Sequence, residues 1–100
     1  MSDELTYHFS SEKNAFLKSA RGVSFDDIIY CIENGYVLDI VKNRGNKYSH
    51  QQMYIVEINS YAFVVPCVRK SGEVFLKTIY PSRVMTAKYL RTGVASEKEN

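Results

Sequence analysis

The sequence GEVFLKTIYPSRVMTAKYLR (residues 72–91) joins a β-rich segment to a helical one at Pro81-Ser82. Residues 74–80 favour a strand, whereas apolar residues recur at helical spacing over residues 82–91. The joint therefore predicts a strand that is followed directly by a helix.

Cations lie on both sides of this joint: Lys77 precedes it, with Tyr80 beside it, and Arg83 and Lys88 follow. A cation in the first helical turn opposes the positive end of the helix macrodipole. Such a broken local rule points to function. The first-turn amides and Arg83 would together form an anion pocket, for which phosphate is the expected ligand.

Two short helices are predicted upstream, after residues 7–9, which form a short strand or an extended lead-in. Ser10 or Ser11 can cap a helix that runs to about residue 20 and stops at Gly22. Ser24-Phe-Asp-Asp27 resembles a capping box with aspartate in place of glutamate, and helical spacing continues to Asn34-Gly35. The tight connection predicts a helical corner packed on one face of the remaining chain.

Four strands are predicted over residues 36–41, 52–58, 61–68 and 74–80. A polar, basic loop (residues 42–50) and hairpin turns at 59–60 and 70–73 connect them. Pro66 cannot donate to a ladder, so its strand needs an edge, a bulge or an early end. The order β-α-α-β-β-β-β-α predicts an α+β fold: an antiparallel four-stranded sheet with the helices packed on one face and the opposite face open and partly polar.

One hundred residues predict a single domain, residues 1–92, and a polar tail, residues 93–100, that frays. The longest uncharged run, residues 58–68, is too short to cross a bilayer, and no secretory signal is visible, so we expect a cytoplasmic protein with no membrane partner. Cys31 and Cys67 are predicted to be buried thiols rather than a disulfide or a metal site. The net charge is only +2, but the bases concentrate in residues 42–91, which suits a nucleic-acid partner.

Two segments carry a resemblance to a known family. Lys13-Asn14, then seven residues, then GVSFDD (residues 22–27) resembles the amino-terminal signature of the BrnT family of bacterial toxins. The later IYPSR (residues 79–83) is similar to that family's strand-to-helix segment, where an arginine occupies the place of Arg83. The resemblance spans residues 9–90. It implies a RelE/ParE-like toxin with a four-stranded antiparallel sheet, a ribonuclease held inactive by a co-expressed ribbon-helix-helix antitoxin.

The chain departs from the family at several positions. Arg21 stands where the family usually has histidine, and Gln52 and Met53 replace an arginine and an aromatic residue. Thr78 stands where an arginine is expected. Lys77, one place earlier, points to the other face by strand alternation. The resemblance therefore supports the fold more strongly than the catalytic activity, and Arg83 is the strongest site candidate.

Attack of a 2′-hydroxyl on the neighbouring phosphate needs a proton acceptor, a proton donor and cations, and requires neither a metal nor a small-molecule cofactor. Arg83 offers a bidentate fork to phosphate. Tyr80 could stack on a base or donate a proton, and Lys77 could hold phosphate. His50 is the natural general base at neutral pH, with Glu57 as a substitute and His8 a weaker candidate.

Each of these residues has a structural alternative. Arg83 could be a solvated arginine paired with Glu73 or Asp39, Tyr80 could be half-buried core, and Lys77 and His50 could simply face solvent. Six further cations are candidates for contact with RNA, with a solvated surface role as the alternative: Arg21, Arg44, Lys47, Arg69, Lys70 and Lys88.

The leading hypothesis is thus the toxin of a type II toxin-antitoxin pair, a metal-independent RNA endonuclease acting on RNA that is free or on the ribosome. The rival is a degenerate relative that binds nucleic acid or a partner protein without cleaving. Gln52 and Thr78, at positions where the family has arginine, favour the rival.

Overall fold

The computed structural model describes residues 5–42 and 51–90. In this part of the chain, a serine side chain caps the amino terminus of each helix. Helix α1 (Ser11–Arg21) is capped by Ser10, whose Oγ accepts a hydrogen bond from the Lys13 amide at 3.1 Å. It ends at Gly22, whose φ of 73° lies in the left-handed region that favours glycine. The predicted bounds of this helix are confirmed.

The predicted capping box of helix α2 (Phe25–Glu33) is also confirmed. Ser24 Oγ accepts from the Asp27 amide at 3.2 Å, and the Asp27 carboxylate accepts from the Ser24 amide at 2.9 Å. Asn14 of α1 adds a further contact, because its Oδ1 accepts from the Phe25 amide at 2.6 Å. The two parts of the amino-terminal motif therefore contact each other and fix the angle between α1 and α2.

The sheet of the described residues contains six strands rather than the four predicted. The short strand or lead-in predicted over residues 7–9 joins the sheet as a strand, and the strand predicted over residues 74–80 is divided in two. The strands are β1 (Thr6–His8), β2 (Val37–Lys42), β3 (Gln51–Ile58), β4 (Tyr61–Lys70), β5 (Glu73–Leu76) and β6 (Tyr80–Pro81). Their order is β1-β5-β4-β3-β2, with β6 also paired to β4. Both hairpin turns, at Asn59-Ser60 and Ser71-Gly72, have positive φ at their two central residues, as tight hairpins require.

The α+β class is confirmed, but the prediction of a purely antiparallel sheet is wrong. Strands β2 to β5 are antiparallel, whereas β1 pairs parallel to β5, with Tyr7 opposite Val74. The free edge of β5 supplies the partner for β1, and the Thr6 amide donates to the Gly72 carbonyl at 3.0 Å. Because these contacts join residues more than sixty positions apart, local sequence carries no sign of them.

The predicted strand over residues 74–80 is interrupted opposite Pro66. β5 and β6 pair along the same edge of β4, but four residue steps separate Leu76 from Tyr80 while only three separate their partners, Cys67 and Val64. The interruption is therefore one extra residue, a bulge. The Lys77 amide donates to the Pro66 carbonyl at 2.8 Å, and proline has no amide with which to return that bond. Pro66 was expected to require an edge strand, a bulge or an early end of its strand. The structure contains a bulge, and the extra residue lies in the segment between β5 and β6 rather than in β4.

The helices cover both faces of the sheet, so the prediction that they share one face is wrong. Helices α1 and α2 bury Leu17, Phe25 and Ile28 on one face, here called the α1–α2 face. Helix α3 (Arg83–Tyr89) packs on the opposite face, the α3 face, over Ile55 and its neighbours. The reason lies in β3, where Tyr54, Ile55 and Val56 are consecutive and all buried. Alternation directs these three side chains to both faces, so both faces need a cover.

Hydrogen bonds anchor α3 at its middle and at its end. In the middle, buried Thr86 accepts from the Ala62 amide at 2.9 Å and donates to the Ser82 carbonyl at 2.7 Å through the same hydroxyl. At its end, the Tyr89 hydroxyl donates to the carboxylate of Asp39 in β2. These bonds hold a helix of only seven residues across the sheet.

Strand β2 forms one edge of the described sheet, and its pairing with β3 shifts register between Val37 and Asp39. The shift places Leu38 against the core of the α3 face while the Asp39 carboxylate accepts from the Ile40 amide at 2.8 Å. The edge strand is therefore bent rather than flat.

Both cysteines are free and buried, as predicted. No helix among residues 5–42 and 51–90 is long and apolar enough to span a membrane. The predicted tail, residues 93–100, and most of the predicted loop, including Arg44, Lys47 and His50, lie outside the described residues.

Candidate nucleic-acid interface

Two aromatic side chains and two cations form a row along the part of the α3 face that α3 leaves open. The row, called here the β5–β6 row, consists of Phe75, Lys77, Tyr80 and Arg83. Phe75, Lys77 and Tyr80 lie beside Val68, Pro66 and Val64 of β4. Arg83 follows Ser82, whose amide donates to the carbonyl of Ala62 on the same strand. Six residue steps of β4 at about 3.4 Å each make the row roughly 20 Å long.

The bulge decides which face Lys77 occupies relative to Tyr80. Pro66 and Val64 are two residues apart on β4 and share the α3 face, so their neighbours Lys77 and Tyr80 also share it. Ile79, between them, is fully buried in the core beneath α1 and α2. The expectation that simple alternation removes Lys77 from the site does not hold, because the extra residue resets the alternation before Tyr80.

The row is accessible. Phe75 and Tyr80 are 44% and 39% exposed, and neither belongs to the two hydrophobic core clusters of the described residues. Lys77 and Arg83 are exposed, and neither side chain forms a hydrogen bond or ion pair with another described residue. The two cations of the row are therefore available to a ligand.

Arg83 does not form the pairs that the structural alternative requires. Glu73 instead contacts His8, and Asp39 accepts from Tyr89. The predicted anion pocket also changes, since Ser82 Oγ already accepts from the Met85 amide in the first turn of a seven-residue helix. Binding of an anion here would depend on the guanidinium of Arg83 rather than on the helix terminus.

Lys77 borders two clefts on either side of the row. One, of about 510 Å³, is shared with Met53, Pro66 and Gln52. The other, of about 420 Å³, is shared with His8 and Phe75. Gln52, where the resemblance predicts an arginine, therefore lines one of the clefts that Lys77 borders.

His8 makes two contacts that sequence reasoning did not anticipate. Its Nε2 lies 3.0 Å from Oε1 of Glu73, and its ring stacks on Phe75 with 4.8 Å between ring centroids. Both contacts depend on the parallel pairing of β1 with β5, which no local signal in the sequence reveals. The structure therefore adds an imidazole and a carboxylate to the end of the row.

Two predicted RNA contacts lie on the other side of the sheet. The Arg21 guanidinium donates from Nη1 to the carbonyl of Ile79 at 2.7 Å, supporting the bulge from the α1–α2 face. Arg69 follows Cys67 at a spacing of two on β4 and so faces the same way. Burial raises the pKa of Tyr7 and Tyr54 there, and the charge of Arg69 partly offsets the rise. Neither arginine joins the row.

The remaining described candidates lie nearer the row. Lys70 is exposed at the end of β4, opposite Glu73 in the hairpin, and shares the α3 face. Lys88 lies on α3 with its Nζ 5.2 Å from the centre of the Tyr89 ring. Below it, the Tyr89 hydrogen bond, the Ile40 amide and the Lys88 charge lower the pKa of Asp39. The same bond to Asp39 raises the pKa of Tyr89.

Among the described residues, no group of three or more His, Cys, Asp or Glu side chains is placed to hold a metal ion. Comparison with known proteins adds no assignment to this geometry: no family model, no curated protein and no solved structure matches the chain.

Proposed function

We propose that the β5–β6 row binds single-stranded RNA and that the protein cleaves the bound strand without a metal ion, as the toxin of a type II toxin-antitoxin pair. The observation that carries the proposal is the alternation of exposed aromatics, Phe75 and Tyr80, with the exposed cations Lys77 and Arg83, which form no ion pair with another described residue.

Single-stranded nucleic acids are recognised by this combination. Bases stack on aromatic rings because every base has a π-face, and cations along the same track neutralise phosphates. Phe75 and Tyr80 would each take a base, while Lys77 and Arg83 would contact the backbone between and beyond them. Arg83 is the residue best suited to a bidentate contact with a backbone phosphate.

The toxin assignment rests on the resemblance of residues 13–27 and 79–83 to BrnT sequences. We propose that the four antiparallel strands β2 to β5 are equivalent to the four-stranded sheet of that family, with β1 and β6 as additions to its edge. A ribbon-helix-helix antitoxin would inhibit the protein by covering the β5–β6 row. Its gene would adjoin the gene of this chain.

Expression of the chain in growing bacteria tests the proposal. The native chain should arrest growth and fragment cellular transcripts, and Arg83→Ala should relieve both effects. Lys18→Ala is the matched control, because Lys18 is an exposed cation on α1, across the sheet from the row. Normal growth and intact transcripts with the native chain, expressed as a folded protein, would refute the toxin function.

A second function, RNA binding without cleavage, is favoured by Gln52 and Thr78, which stand where the resemblance to BrnT sequences expects arginine. Stacking and phosphate contact by the row require no proton transfer, so they would persist in a protein that has lost its catalytic groups. An oligoribonucleotide that binds the purified chain and stays intact in prolonged incubation would identify this function. Loss of binding in Arg83→Ala would then locate it at the row.

A further inference from the structure

His8 and Glu73 lie at the end of the β5–β6 row, next to Phe75. An RNA strand bound along the row would pass this pair after its contact with Phe75. The imidazole Nε2 and the Glu73 carboxylate oxygen are 3.0 Å apart, and the ring rests on Phe75. The side chains of His8 and Glu73 are 41% and 52% exposed. The pair is therefore held in position and yet open to a ligand.

We propose that His8 is the general base of RNA cleavage in this protein and that Glu73 positions its ring, an inference that rests on the proposed function. A neutral imidazole that donates Nε2–H to the carboxylate keeps a lone pair on Nδ1. Among the described residues, Nδ1 has no hydrogen-bond partner, and the ring borders the same cleft of about 420 Å³ as Lys77. A proton acceptor and a phosphate-binding cation thus share one cleft.

The reaction assigned to this cleft is a transesterification. With a base stacked on Phe75, the 2′-hydroxyl of that nucleotide gives its proton to His8 Nδ1, and its oxygen attacks the adjacent phosphorus. The P–O2′ bond forms as the P–O5′ bond breaks, and the leaving 5′ oxygen takes a proton from water. The hydroxide that remains takes the proton from His8 Nδ1, which restores the neutral imidazole. The products are a 2′,3′-cyclic phosphate and a 5′-hydroxyl, and Lys77 stabilises the charge of the crowded phosphorane.

Glu73 is a positioning residue in this scheme. Its carboxylate accepts a hydrogen bond from Nε2–H and so selects the tautomer that leaves Nδ1 free. Backbone pairing keeps both residues in register, since His8 lies opposite Phe75 and Thr6 opposite Glu73 in the parallel ladder. The pair therefore belongs to the sheet itself rather than to a loop.

The test uses the purified full chain and a fluorescent single-stranded oligoribonucleotide, with binding and cleavage measured separately. We expect His8→Gln to lower the cleavage rate at least 100-fold while the dissociation constant changes less than threefold. Glutamine can still donate to Glu73, and Thr6→Ala, on the same strand, is the control that should cleave normally. Glu73→Gln should lower kcat about tenfold with KM unchanged, and the native products should carry 2′,3′-cyclic phosphates.

The outcomes separate the two proposals. If the native chain cleaves and His8→Gln cleaves equally well, the role of His8 is refuted while the proposed function stands. If the native chain binds RNA but never cleaves it, both the cleavage and the role of His8 are refuted. Should His8→Gln fail to fold, an unchanged kcat in Glu73→Gln would overturn the pairing.

Discussion

The guanidinium of Arg21 donates to the main-chain carbonyl of Ile79, 58 residues away, at 2.7 Å. This bond ties the last residue of α1 to the segment between β5 and β6, where one extra residue has no ladder partner. The hydrogen bond from Arg21 therefore holds the bulge in place from the α1–α2 face, while the side chains of Lys77 and Tyr80 lie on the α3 face. The exposed positions of Lys77 and Tyr80 depend on that support.

Removal of this bond should destabilise the fold modestly. We expect Arg21→Ala to lower the free energy of unfolding by about 1 kcal/mol, because a charged donor is lost from a partly exposed site. Urea denaturation followed by circular dichroism measures the change. Lys18→Ala, one turn earlier on α1, should change it by a few tenths of a kcal/mol at most. Equal midpoints for the Arg21 variant and the native chain would contradict the prediction.

The Asp39–Tyr89 hydrogen bond should make the docking of α3 depend on pH. This bond is the largest cause of the lowered pKa of Asp39 in the folded protein. Its contribution to stability is therefore fully present above the ordinary aspartate pKa of about 4 and is lost as the pH falls through the lower pKa of the folded state. Tyr89→Phe should therefore be less stable than the native chain at pH 7 and equally stable in strong acid. Tyr36→Phe is the control for loss of a hydroxyl. A stability difference for Tyr89→Phe that persists unchanged into acid would rule out this coupling.

The two thiols should be unreactive in the folded protein. Burial raises the pKa of Cys67 to about 11 and also raises that of Cys31, so little thiolate forms at neutral pH. Alkylation by iodoacetamide at pH 7.5, followed by mass spectrometry, should modify both residues only after denaturation. Modification of the native chain as fast as of the unfolded chain would show that these side chains are not enclosed.

The aromatics of the row should contribute to RNA binding by stacking. We expect Phe75→Ala and Tyr80→Ala each to weaken binding of a short single-stranded oligoribonucleotide by about 5- to 150-fold. Fluorescence anisotropy measures the dissociation constant. Phe16→Ala is the matched control, since Phe16 is also an exposed aromatic, 59% accessible, but lies on α1. Comparable losses in all three variants would show that binding is not confined to the row.

Lys77 should contribute one phosphate contact. For a single strand, each neutralised phosphate changes the slope of log K against log salt concentration by about 0.7. Lys77→Ala should reduce the slope by that amount, whereas Lys18→Ala should leave it unchanged. The same anisotropy titration at several salt concentrations gives both slopes, and identical slopes for Lys77→Ala and the native chain would remove Lys77 from the interface.

Local signals in the sequence predicted the features that depend on neighbouring residues. Ser10, Gly22 and the Ser24–Asp27 box fix the ends of α1 and α2 through contacts within a few positions, and each was identified. Positive φ at Asn59 and Ser60 likewise agrees with the predicted hairpin. These features follow from backbone hydrogen-bonding groups that must be satisfied nearby.

The features that were not predicted depend on distant partners. The pairing of β1 with β5 and the position of α3 on its own face join segments that no periodicity connects. The buried run of Tyr54, Ile55 and Val56 did contain a signal, because three consecutive buried positions require cover on both faces. The candidate site shows the same division between local and distant signals. Arg83 could be identified from its unfavourable position in the first turn of a helix, whereas His8 contacts Glu73 only because β1 pairs with β5.

The register shift at the start of β2 has a consequence for how the chain behaves among its own copies. A flat, unpaired edge strand offers main-chain donors and acceptors to any other strand and so promotes aggregation. The register shift between Val37 and Asp39 bends β2. The charge of Asp39 at the same point makes the pairing of a strand from another molecule with β2 unfavourable. Straightening β2 by deleting Leu38 would therefore expose a template for intermolecular sheet growth.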